Sequence, residues 1–97
     1  MGTGPVTTGD ERGNRERLLA RMAAARAHGR QLAARVSQLA GEIAKTEDGV
    51  AAQRERLAAT RPDRAQELRR SAQDAQACAE HERREQQRWD RKAQDAE

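Results

Sequence analysis

The sequence predicts an all-α protein: two long helices forming an antiparallel helical hairpin, a coiled coil, behind a disordered N-terminal tail. Three observations predict it. Apolar or small residues recur in alternating steps of four and three at Leu18, Met22, Ala25, Gly29, Leu32, Val36, Leu39 and Ile43, and the series runs on through Thr46, Val50, Gln53 and Leu57. That spacing averages 3.5, the period that keeps one seam of a helix against a partner helix. A break then stands at Thr60-Arg61-Pro62-Asp63. Beyond it a second four-three series begins, Leu68, Ala72, Ala75, Ala79, Glu82, Gln86, Trp89, Ala93 and Ala96.

The N-terminal stretch, residues 1–9, contains Gly2, Gly4, Pro5 and Gly9 and reads as a flexible tail. It lacks the basic and apolar regions of a signal peptide. Asp10 or Asn14 offers a short side-chain oxygen to cap the first helix. That helix is expected over about residues 10–59. Gly29, Gly41 and Gly49 lie inside it, each costing about 1 kcal/mol relative to alanine. Gly29 sits on the apolar seam, where it leaves room for a bulky neighbour.

The turn is expected at about residues 60–61 and the second helix at about 61–96. Proline is tolerated in a first helical turn and disruptive further in. Thr60 and Asp63 have capping-box spacing, and Asp63 and Glu67 place negative charge at the positive end of the helix dipole. A short connection favours an antiparallel hairpin; a single kinked rod is the alternative. Folding at 60–61 brings Val50 near Ala72, Ile43 near Ala75 or Ala79, and Gly29 and Leu32 near Trp89 and Ala93. The expected helix–helix interface is Leu18, Met22, Leu32, Val36, Leu39, Ile43, Val50, Leu57, Leu68 and Trp89. Its weak layer is Glu82 and Gln86 opposite Leu39 and Val36, because a buried carboxylate is costly.

Composition limits the rest. The chain has 97 residues, 35% of them apolar, with one aromatic residue, Trp89. Large apolar side chains are too few for a compact single core, so self-association into a four-helix dimer or related bundle is expected. β-branched residues are scarce, which argues against a sheet. Abundant arginine and alanine with only two lysines suggest a GC-rich, bacterial genome. No stretch approaches the roughly 20 apolar residues of a membrane span. Cytoplasmic residence follows as the default, and the single cysteine, Cys78, agrees with a reducing compartment.

Few residues suggest chemistry. Cys78, His81, Glu82 and Glu85 share one side of a helix and are possible zinc ligands, but His81-Glu82 lacks the second histidine of a His-Glu-x-x-His metalloprotease pair. His28 stands alone. There is no glycine-rich phosphate loop, and long helices do not make a water-excluding pocket. Neither a catalytic residue nor a cofactor or metal is expected. Between residues 12 and 35 lie seven arginines and one acid, Glu16, a local charge of +6 against +3 for the whole chain. Arg12, Arg15, Arg26 and Arg30 are the candidate phosphate contacts there. No aromatic residues interleave with them for base stacking.

The length and two-helix layout resemble the small helical-hairpin secretion substrates of Gram-positive bacteria. Those carry Trp-x-Gly in the turn. Here the turn is Thr60-Arg61-Pro62-Asp63 and Trp89 lies near the far end, so no residue role carries over. The expected function is therefore a non-enzymatic interaction or scaffold protein acting through helix–helix association, with itself or another helical protein. The alternative is a small nucleic-acid-associated accessory protein using the arginine-rich first helix.

Overall fold

The computed structural model describes the backbone of residues 3–95 and the side chains of residues 10–95. It is a helical hairpin. Helix α1 spans Thr3–Thr60, a 3-10 turn spans Pro62–Arg64, and helix α2 spans Ala65–Asp95. The backbone is already helical at Asp10 and Asn14, the two candidates for the first cap. The expected tail, residues 1–9, falls on residues whose side chains lie outside those described, Met1 and Gly2 entirely so.

The break occurs at the proline, but its chemistry differs from a capping box. Thr60 donates its hydroxyl back to the Leu57 carbonyl at 3.1 Å, so it does not cap the next helix. Arg61 takes the cap position with no side-chain hydrogen bond. Pro62 opens the 3-10 turn, whose missing N–H would have been an orphan there in any case. Arg64 N–H then bonds the Arg61 carbonyl at 3.0 Å, and the chain passes directly into α2. The second helix therefore starts at Ala65 rather than 61, and the apex of the hairpin moves from 60–61 to 62–63.

That movement shifts the pairing along the hairpin, although Val50 lies by the cluster containing Ala72, as expected. Ala51 packs with Ala72 and Ala75, with Val50 at the edge of the cluster. Ser37 lies opposite Gln86 and Asp90, and Asp48 pairs with Arg83. In this register Asp95, the end of α2, falls beside about residue 30 of α1. The part of α1 before that point extends past α2 as a single helix. Among the described residues, none before Ala33 is buried.

The seam that closes the hairpin is not the leucine stripe. Buried on α1 are Ala33, Ser37, Ala40, Ala44, Ala51 and Ala58, facing Leu68, Ala72, Ala75 and Ala79 of α2. The α1 set has the same four-three spacing as the leucine stripe, displaced by one residue. One residue is roughly 100° around a helix, so the two seams lie on adjacent faces. Counting on from Ala58 in threes and fours passes Arg61 and Ala65 and lands on Leu68. The two buried seams thus share one phase through the turn, and the apparent phase shift belongs to the leucine stripe. The physical reason is close approach. Alanine against alanine lets two helices pack at the short end of the usual 8–10 Å separation, and a short turn fixes which faces meet.

Two pairings expected from the sequence are absent. Nothing lies within 4 Å of a Cβ built on Gly29, so Trp89 does not fill that space. Gln86 stands opposite Ser37 and Gly41 rather than Val36. The Gln86 side chain lies over Gly41, where an added Cβ would stand 2.8 Å from its Nε2. Glu82 is only half-buried, which relieves the expected penalty.

Candidate interaction surface

With alanines facing α2, the large apolar side chains of α1 are turned outward. Leu18 is 56% exposed, Leu39 57% and Ile43 44%. Leu19, Met22, Leu32 and Val36 are also exposed. Val50 and Leu57, nearer the turn, are half-buried. An isolated exposed leucine is ordinary, whereas these side chains recur at helical spacing as one outward row. The outward row runs from the single-helix part of α1 onto the flank of the hairpin. Leu68 is buried inside the hairpin and Trp89 is half-buried near its open end.

Polar contacts fix the hairpin behind this row. The Ser37 hydroxyl is 3.2 Å from the Gln86 carbonyl and within hydrogen-bond reach of the Asp90 carboxylate. Both oxygens accept, so one hydroxyl proton is shared between them. Asp48 and Arg83 form an ion pair across the two helices. Lys92 stands 4.4 Å from the Trp89 ring centroid and Arg88 5.8 Å, so cations lie by the indole. Arg54 Nε is buried without a hydrogen-bond partner among the described residues.

The arginine-rich segment lies mainly where α1 is single. At 100° per residue Arg12, Arg15, Arg26 and Arg30 fall within one sector of the helix, beside the leucine row, and Arg17, Arg21 and Arg35 fall on its other flank. Arg17 bonds the Asn14 side chain at 2.6 Å. Arg30 is half-buried where α2 ends.

Among the described residues no group of three or more histidine, cysteine or acidic side chains converges to hold a metal, and this includes Cys78, His81, Glu82 and Glu85. The Cys78 thiol is exposed. Its pKa is raised by partial loss of water around it, then by the carboxylates of Glu47 and Glu82, which disfavours the thiolate needed for nucleophilic or metal chemistry. The surface recess at the turn is an open one, lined by Pro62, Asp63, Gln66, Glu67 and Arg70. No helix among the described residues is long and apolar enough to cross a membrane.

The buried alanine seam and Ser37 escape a sequence reading in which side-chain size marks the interface. The signal that identifies them is phase: they alone continue the α2 seam through the turn. Comparison with family models, with curated proteins and with solved structures finds no match to this chain.

Proposed function

We propose that this chain is a non-enzymatic interaction module that docks another helix, in coiled-coil fashion, along the outward row of α1. One observation carries the reading. The hairpin satisfies itself through alanine and leaves Leu18, Met22, Leu32, Val36, Leu39 and Ile43 outside, at the spacing a helix presents to a helix. A chain selected only to fold as a hairpin gains nothing from that row. Cytoplasmic residence is part of the same proposal.

The test is a photo-crosslinking residue placed at Leu39, with Ala52 as control. Ala52 is exposed on a face of α1 away from both the outward row and α2. The reading predicts polypeptide adducts from position 39 in the native host and few from position 52. Equal yields at the two positions, or none at either, would overturn it.

A second reading rests on the single-helix part of α1. Arg12, Arg15 and Arg26 share one sector there and make no ion pair among the described residues. Such a row suits phosphate contact without sequence preference. Retention of random duplex at low salt, lost by roughly 0.3 M salt, is the expected behaviour; no retention at low salt removes this reading.

A further inference from the structure

We infer that the partner of the outward row is a second copy of this chain, laid antiparallel along α1 with a two-fold axis between Arg30 and Gln31. The inference rests on the docking reading above and names its occupant.

The outward row is self-complementary about that point. Reversing α1 on itself sets Leu18 against Ile43 of the second copy and Met22 against Leu39 of the second copy. Ala25 then meets Val36 of the second copy, and Gly29 meets Leu32 of the second copy. The outer layers pair large with large, and the central layers pair small with large. Nothing lies within 4 Å of a Cβ on Gly29, so the space for the incoming leucine is open. Val50 and Leu57 belong to the same stripe but lie beyond this overlap, and these two are half-buried by the chain's own hairpin. The exposed part of the stripe therefore coincides with the part that reversal pairs.

Charge agrees with the same register. On one flank Arg21 comes beside Glu42 of the second copy, and on the other Arg12 comes beside Glu47 of the second copy. None of these four residues makes an ion pair within the hairpin among the described residues. Two further flanking pairs, His28 with Arg35 of the second copy and Arg26 with Ala33 of the second copy, contribute no attraction. A parallel arrangement in register would instead set Arg21 beside Arg26 of the second copy and Glu42 beside Glu47 of the second copy, which repel.

The arrangement also covers the single-helix part of α1. Residues 12–29 of one copy lie along the hairpin of the other, on the face next to its α2. Leu19, exposed on the flank of the row, is on the side where α2 of the second copy lies. Each single-helix segment thereby becomes the third helix of its neighbour's hairpin.

The test uses the full chain with Cys78→Ser. Leu18→Cys and Ile43→Cys chains are purified separately, confirmed helical, mixed and oxidised. A mixed disulfide between the two chains is expected to exceed either homodisulfide at least tenfold. Homodisulfides as the main product would show parallel pairing and overturn the inference. So would a chain that sediments as a monomer at about 100 µM, well above the range of a stable dimer. Arg21→Glu or Glu42→Arg alone is expected to weaken self-association about fivefold, and the two together to restore it. Loss of association without rescue would remove the register. If the chain is monomeric while position 39 still crosslinks to a different polypeptide, self-pairing fails and helix docking stands. If neither occurs, both fail.

Discussion

The hydroxyl of Ser37 on α1 reaches the main-chain carbonyl of Gln86 on α2 at 3.2 Å, with the Asp90 carboxylate as its second acceptor. Among the described residues Ser37 is the one buried polar residue. Its contact supports the register of the two alanine surfaces that the turn sets. Replacing Ser37 with alanine keeps the seam's shape and removes the bond. The expected loss is about 1 kcal/mol in urea unfolding, because the carbonyl of Gln86 retains its place in the helix ladder. A leucine at the same position should lose more, since it forces the helices apart.

The two adjacent seams of α1 predict an inversion of the usual size rule. Leu39→Ala, on the outward row, should change the stability of the dilute monomer by less than about 0.5 kcal/mol. Ala40→Leu, one residue on and 3% exposed, should destabilise it by about 1–3 kcal/mol. Denaturant midpoints of the two variants, measured below the concentration of self-association, decide this. A larger loss from Leu39→Ala would return the leucine stripe to the hairpin core.

Glycines inside α1 differ in what surrounds them. An alanine Cβ at Gly49 meets nothing within 4 Å, so Gly49→Ala should raise stability by about 1 kcal/mol through helix propensity alone. At Gly41 the Cβ meets the end of the Gln86 side chain, which must swing away. Gly41→Ala should therefore gain less than Gly49→Ala. Thermal melts of the two variants check the order.

Cys78 should alkylate slowly for an exposed thiol. Loss of water around it and the nearby Glu47 and Glu82 carboxylates raise its pKa, so less thiolate is present at pH 8 than in the unfolded chain. Iodoacetamide should react faster after urea unfolding, and faster in the folded Glu47→Gln variant than in the parent. The sign for stability follows. The folded state favours the protonated thiol, so this small contribution is present at neutral pH and is lost as pH rises through the raised pKa.

Much of the fold is legible in the residues. Helix formers, the four-three spacing and Pro62 together yield two helices and a reversal, and the α2 seam of Leu68, Ala72, Ala75 and Ala79 has the phase read from the sequence. What is not legible is which face of α1 turns inward. Periodicity marks both the leucine stripe and the alanine stripe, and burial energy per residue favours the larger side chains. Close approach at the turn decides for alanine, a three-dimensional constraint that no single helix displays. The register differs for a related reason. Pro62–Arg64 forms a 3-10 turn rather than the first turn of α2, and this moves every opposite residue along, separating Trp89 from Gly29. The four-three spacing of the outward row is legible, but its place on the outside of the hairpin requires the structure.

The most direct test of the central claim is a methyl NOE experiment on the dilute chain, with isotope-mixed samples to separate contacts within a chain from contacts between chains. The Ala51 methyl should show intrachain NOEs to the methyls of Ala72 and Ala75, while the methyls of Leu39 and Ile43 show none to α2. Intrachain NOEs from Leu39 and Ile43 to α2, with Ala51 silent, would contradict a hairpin closed on alanine.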